Sequence, residues 1–181
     1  MDLTQSPEGG LDLETDRLLL RAWRVADAEV LRTLWLERDP RVPPHRRISA
    51  DGHPSLEEIR DQIRNDDGQP FPGTLVVGLK NSNHVIGYCG LIPNRYGQPG
   101  EPELAYELLR SNWGLGYATE AALAVVEQAR LIGYPRLWAT VRRWNVASRH
   151  VLAKLGFVET GRVEPDEVHG DSIFTSKPLA T

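Results

Sequence analysis

Cysteine is almost absent from this sequence: Cys89 stands alone among 181 residues. An intrachain disulfide is therefore excluded, and such sparing use of the residue fits a reducing compartment. Cys89 lies within Val85-Ile86-Gly87-Tyr88-Cys89-Gly90-Leu91-Ile92, an apolar run that makes it a buried structural thiol rather than a nucleophile. Long apolar runs are also missing, and none approaches the ~20 residues needed to span a bilayer. Met1 to Gly10 is polar and acidic, without the apolar centre of a secretion signal. No membrane partner and a cytoplasmic location are the expectation. An excess of positive charge is lacking as well. Twenty-one Lys and Arg against 25 Asp and Glu leave a formal net charge of −4, so a nucleic-acid partner gets no electrostatic support. Lysine is scarce, with only Lys80, Lys154 and Lys177 beside many arginines. The histidines show no metal-ligand spacing with cysteine or aspartate, and no metal is expected.

What is present suits one soluble α/β domain. The length is enough to bury a substantial core, and 40% hydrophobic with 25% charged residues is an ordinary globular composition. Residues 1–13 read as a flexible lead-in, with the domain occupying 14–181. Arg17 to Trp23 reads as a first strand, and Val25 to Glu37 places Ala28, Leu31, Leu34 and Trp35 at helical spacing. Asp39 to Pro54 is rich in proline, arginine and histidine, and is expected to be irregular. Ser55-Leu56-Glu57-Glu58 forms a capping box that opens a helix to about Asn65, stopped by Asp66 to Pro70. Thr74 to Lys80 and His84 to Ile92 make a hairpin around Asn81-Ser82-Asn83. A strand over Glu103 to Arg110 leads to a glycine turn and a helix ending near Gly133. A strand over Leu137 to Val141 follows, then a helix over Ala147 to Leu155 that Gly156 terminates. Phe157 to Arg162 and Ser172 to Ser176 are the last strands. The order β-α-α-β-β-β-α-β-α-β-β places helices on both faces of a mixed sheet.

The segment Trp113-Gly114-Leu115-Gly116-Tyr117-Ala118-Thr119-Glu120 carries the strongest chemical signal. Two glycines precede a helical run, and the first amides of a helix have no internal partner. The helix dipole adds partial positive charge there, and glycine lets an anion approach the bare backbone. A diphosphate-bearing ligand is the leading reading, with a tight strand-to-helix connection as the alternative. Gly116 is followed by Tyr117, so the Gly-Lys-Ser/Thr ending of a triphosphatase loop is absent. Thr119 occupies the position of the third glycine in a dinucleotide fingerprint.

Farther along come Asn145-Val146-Ala147-Ser148 and Lys154-Leu155-Gly156-Phe157-Val158, and the domain opens with Glu14-Thr15-Asp16-Arg17-Leu18-Leu19-Leu20-Arg21. Together with the glycine turn, this order and spacing resembles the GNAT superfamily of acyl-CoA-dependent N-acetyltransferases, and within it the RimJ/RimL-like branch, from Glu14 to about Ser176. The resemblance implies a single-domain GNAT-like α/β fold, with a mixed, mostly antiparallel sheet flanked by helices. It implies acetyl-CoA as cosubstrate and a primary amine as acceptor, either a protein N-terminus or a small molecule. Trp113, Gly114, Leu115, Gly116, Tyr117, Ala118 and Thr119 would hold the CoA pyrophosphate through backbone amides, Trp113 standing where Gln or Arg is usual. Leu108 and Leu109 would pair with the pantetheine arm, and Asn145 would hydrogen-bond it, cap the following helix, or do both. Relatives are often dimers, which places a homodimer among the assembly states to test.

Amide formation needs a neutral amine, a polarised thioester and a stabilised leaving thiolate. Glu103 is the candidate base from the resemblance, with a surface charge or arginine partner as the alternative. Glu107 shares its parity along the strand. Many family members carry a tyrosine at the position of Leu152 here; Ser148 is the natural substitute on the leaving-group side, unless it only satisfies helix-end backbone. Tyr88 and Tyr106, on neighbouring strands, either face the acceptor or pack in the core. Direct attack in a ternary complex is the expected mechanism, and a non-catalytic acyl-CoA-binding module is the rival.

Overall fold

The computed structural model describes residues 12–65, 73–94 and 96–179; Asp66 to Pro70 and most of the segment read as a lead-in lie outside them. Alternation governs its first two strands, β1 (Leu13–Glu14) and β2 (Leu18–Arg21): Leu13, Leu18 and Leu20 are buried, while Glu14, Leu19 and Arg21 are partly exposed. Leu13 pairs with Leu20, so the sheet begins one residue inside the lead-in boundary drawn from the sequence. Among the described residues there are eight strands and four α-helices. Helix α1 (Ala28–Glu37), opened by the single-turn helix Val25–Asp27, and helix α2 (Leu56–Asn65) precede the hairpin β3 (Thr74–Leu79) and β4 (Val85–Ile92). Strand β5 (Glu103–Leu108), helix α3 (Tyr117–Ile132), strand β6 (Arg136–Arg142) and helix α4 (Val146–Lys154) follow. The chain closes with β7 (Val158–Glu164) and β8 (Ser172–Pro178).

Local chemistry accounts for the helix ends. The Asp27 carboxylate accepts the Arg24 backbone N–H at 2.8 Å and a forked pair from Arg21 at 2.7 and 2.9 Å, which satisfies a nearly buried charge. Ser55 and Glu58 form the reciprocal box: the Ser55 N–H donates to Oε2 of Glu58 at 2.6 Å, and the Glu58 N–H to Oγ of Ser55 at 3.2 Å. Gly133 and Gly156 end α3 and α4 with positive φ.

The sheet order is β1-β2-β3-β4-β5-β6-β8-β7, antiparallel throughout except between β5 and β6. One face packs against α3 and α4, with Leu20, Val77, Cys89 and Leu108 from the strands meeting Ala121, Ala122, Val125 and Leu152 from the helices. The alanines let α3 lie close to the strands. α1 packs on α2 and β4 over the opposite face, burying Leu34, Ile59 and Val76. Cys89 is fully buried, and desolvation pushes its thiol well above the ordinary range. None of the helices described is long and apolar enough to cross a membrane.

The parallel pair is the exception that shapes the molecule. β5 and β6 meet in register only at Glu103 and Trp138, and diverge from there toward their C-terminal ends. The Trp138 N–H reaches the Pro102 carbonyl at 3.0 Å, whereas two residues on the Thr140 N–H donates to Oε1 of Glu103 at 2.8 Å. A side-chain carboxylate thus takes the place of a β5 carbonyl at the start of the splay. Alternation then decides which β5 groups face the gap. The Leu109 N–H bonds Ile86 of β4, so the backbone groups of Leu108 and Tyr106 point the other way, toward β6.

Candidate active site

A cavity of about 710 Å³ occupies the splay and runs from the N-terminus of α3 to the segment after α1. The end of the cavity at α3 is built by glycine geometry. Gly114 and Gly116 have φ of +76° and +83°, a region that L side chains rarely enter. Gly116 caps α3 in this left-handed conformation, and the first intrahelical bond runs from the Glu120 N–H to the Gly116 carbonyl at 3.0 Å. The amides of Tyr117, Ala118 and Thr119 precede that bond and have no helical partner. The Trp113 indole N–H is spent on the Leu108 carbonyl at 2.7 Å. Its position therefore braces the turn against β5.

The opening motif of the domain holds this turn from outside. Glu120 accepts from the Thr15 hydroxyl at 2.6 Å, the Arg17 backbone N–H at 3.0 Å and Nε of Arg17 at 2.6 Å. Nη1 of Arg17 donates to the Leu115 carbonyl at 3.1 Å, and the guanidinium lies 4.5 Å over the Tyr117 ring. Thr15 and Arg17 thus clamp both the turn and the first residue of α3. Nothing local in the sequence joins them to Glu120, more than a hundred residues on.

Helix α4 supplies the opposite wall. Oδ1 of Asn145 accepts the Ser148 N–H at 3.1 Å as N-cap, which leaves its amide NH₂ able to donate into the cavity. The Tyr106 hydroxyl on β5 lies 2.8 Å from Oγ and 3.0 Å from the carbonyl oxygen of Ser148. Burial pushes the Tyr106 phenol well above its ordinary pKa and keeps it a donor at neutral pH.

Toward α1 the wall is ionic. Glu107 takes a forked bond from Arg38, with Nε at 2.8 Å from Oε1, and accepts the Tyr88 hydroxyl at 3.1 Å. Arg38 also covers the Trp35 ring at 4.5 Å. Arg41, paired with Asp39, lies 4.1 Å over the Trp144 ring and so links the loop after α1 to the start of α4. The register sets Tyr88 opposite Glu107 and Cys89 opposite Tyr106. Tyr88 and Tyr106 therefore stand on opposite faces of the sheet, and only Tyr106 lines the cavity.

Of the residues singled out in the sequence, Leu108, Trp113, Gly114, Gly116, Tyr117, Ala118, Thr119, Asn145 and Ser148 lie together on the cavity wall. Leu109 and Leu115 do not: the first turns its N–H to Ile86, and the second points an exposed side chain away while its carbonyl meets Arg17. Glu103 is also outside the wall, its carboxylate engaged by Thr140. Leu152, where the resemblance leads to the expectation of a tyrosine, is 3% exposed and packed in the core. Among the described residues no group of histidine, cysteine, aspartate and glutamate is arranged to hold a metal ion.

Comparison with known proteins agrees with this architecture. Residues 17–158 match the acetyltransferase (GNAT) domain model. The sequence is 33% identical over 156 residues to the "uncharacterized N-acetyltransferase p20" of Bacillus licheniformis, covering 82% of this chain and 83% of that protein. A GNAT-family acetyltransferase from Bacillus anthracis superposes with a TM-score of 0.75 at 21% identity, over 93% of this chain and 98% of the other. A ribosomal-protein alanine acetyltransferase from Vibrio fischeri superposes with a TM-score of 0.65 at 19% identity, over 93% and 96% of the two chains. The glycine turn, the splayed strands and a family match over most of the chain lead to one statement: this protein belongs to the GNAT acetyltransferase family.

Proposed function

We propose that this protein transfers an acetyl group from acetyl-CoA to a primary amine, by direct attack of the amine within a ternary complex. The acceptor is a protein N-terminus, as in a RimJ/RimL-like enzyme, or a small-molecule amine. The observation that carries this reading is the continuity of one cavity from the unpartnered amides of α3 to the Tyr106–Ser148 pair. A pyrophosphate seated on the amides of Tyr117 to Thr119 would send the pantetheine arm along the splay, beside the edge of β5 that faces it and the Asn145 amide. Backbone N–H groups on that edge can polarise the thioester carbonyl. The amine nitrogen attacks the carbonyl carbon, the C–S bond breaks, and the Ser148 hydroxyl donates a hydrogen bond to the departing thiolate. With Glu103 bound to Thr140 and Glu107 forked by Arg38, the ammonium proton leaves through cavity water.

Those two engaged carboxylates are also what favours the rival, a non-catalytic acyl-CoA-binding module. Thiol release from acetyl-CoA, followed across a panel of primary amines and N-terminal peptides, separates the two. Release together with an acetylated product by mass spectrometry is expected. CoA binding without release for any acceptor would establish the binding module instead.

A further inference from the structure

Leu152 of α4 is buried in the core and offers no hydroxyl to the cavity. Ser148 is left as the hydroxyl of α4 on the cavity wall, and a serine alone is poorly suited to its task. It rotates freely, and in a helix its hydrogen bonds readily to its own backbone. The structure shows what restrains it. Oη of Tyr106 reaches across from β5 to within 2.8 Å of Oγ and 3.0 Å of the carbonyl oxygen of the same residue. A phenol has one proton to donate, so the pair has two arrangements. With the Tyr106 proton on the Ser148 carbonyl, the serine proton points back to Oη. With the Tyr106 proton on Oγ, the serine proton is turned out into the cavity.

We propose that Tyr106 is a positioning residue for leaving-group departure, holding the Ser148 hydroxyl so that its proton is directed at the thiolate sulfur. This rests on the acetyl-transfer reading and deepens it. As the C–S bond breaks, the electron pair goes to sulfur. Tyr106 donates to Oγ, and Oγ–H donates to the thiolate, each hydroxyl keeping its own proton. The thiolate takes its final proton from water, which has received one from the ammonium, so no acid of unusual strength is required. A hydrogen bond donated to Oγ also makes the serine a better donor, because successive bonds polarise one another. Support of the leaving group is thus divided between a strand residue and a helix residue 42 positions apart in the sequence.

The test is steady-state kinetics with the most active amine of the panel. Tyr106→Phe keeps the ring and removes the hydroxyl; it should lower kcat about ten-fold, the scale of one hydrogen bond in a transition state, with KM for acetyl-CoA within two-fold. In Ser148→Ala the adjoining hydroxyl has nothing left to position, so adding Tyr106→Phe should cost less than a further two-fold. An acetyl thioester of a more acidic thiol needs less stabilisation as it leaves, and with it the ratio of wild type to Tyr106→Phe should shrink toward one. A lowered fraction of folded enzyme would scale the ratio equally for both thioesters, so its change with the leaving group separates positioning from misfolding. An unimpaired Tyr106→Phe, single losses that multiply in the double variant, or a ratio indifferent to the leaving group would each overturn the assignment while leaving acetyl transfer intact. A wild-type chain that releases no thiol with any amine would overturn both.

Discussion

Gly116 shows how much of this site rests on one residue lacking a side chain. Its φ of +83° costs an ordinary residue about 1–2 kcal/mol, and a β-branched one more. A Cβ at this position would meet only Nη2 of Arg17, at 3.4 Å. The penalty of substitution is therefore conformational, and the backbone would relieve it by rotating the turn and its amides away from the anion. Gly116→Val should weaken CoA binding at least ten-fold by calorimetry while the chain stays folded. Unchanged affinity would remove the pyrophosphate assignment. Trp113 teaches a different lesson at the same scale. Its indole is already bonded to Leu108, so the side chain acts on the turn's position.

Two elements have ends whose charges can be titrated. The Glu58 carboxyl is held at about 2, first by the Ser55 backbone N–H and then by His53 and the Ser55 hydroxyl. Asp166, in the β7–β8 turn, is held at about 2 chiefly by the His169 backbone N–H, with Arg142 assisting against desolvation. Both folded values lie below the ordinary 4.5 and 3.8. Their contributions are therefore complete above that range and lost as pH falls toward 2. His53, raised by Glu58, works in the opposite sense: its contribution is complete below 6.5 and fades as pH rises through its folded value. Urea unfolding between pH 5 and pH 2 should show stability falling with acid. Glu58→Gln and Asp166→Asn should be less stable than wild type at pH 5 and converge with it near pH 2. A constant gap across that range would refute the assignment. Helix α3 carries a packing constraint of another kind. Ala122 is fully buried between helix and sheet, and Ala122→Leu should cost about 1–3 kcal/mol by overpacking, read as a lower urea midpoint with an unchanged slope.

Across the whole molecule the controlling feature is the single parallel contact between β5 and β6. A sheet paired along its full length would have no room for a pantetheine arm, and its backbone donors would be used internally. Because the cavity joins α3, α4, β5 and the loop after α1, a ligand spanning it braces elements from both faces of the sheet. Acetyl-CoA at a hundred times its dissociation constant should stabilise the folded state by about 2.7 kcal/mol, a rise in Tm of roughly 5–10 °C for a chain of this size. A thermal shift that appears with CoA and is absent with adenosine alone would fit this bracing; no shift with either would contradict it.

The elements were legible in the sequence because their signals are local. The alternation in Leu18 to Arg21, the capping box at Ser55 and the glycines that end α3 and α4 each act within a few residues. The extra strand β1 escaped, since two residues carry no period and Leu13 is fixed by its pairing with Leu20 and its burial in the core, both long-range contacts. The glycine turn was legible for the same local reason: positive φ, small residues and a following helix are written together at 113–120.

What the sequence could not determine is which side chains are already engaged. Glu103 and Glu107 have equal claims as bases by type and parity. Tertiary structure gives one to the Thr140 amide and the other to Arg38, through partners 37 and 69 residues away. Tyr88 and Tyr106 look alike in the sequence, and a register offset of one residue sends them to opposite faces. The sequence by itself determined the elements, the glycine turn and the family resemblance, since each depends on short-range order and spacing. Only the fold decided the splay, the clamp from Thr15 and Arg17 onto Glu120, and the meeting of Tyr106 with Ser148, because each is a contact between distant segments that exists only after the sheet has formed.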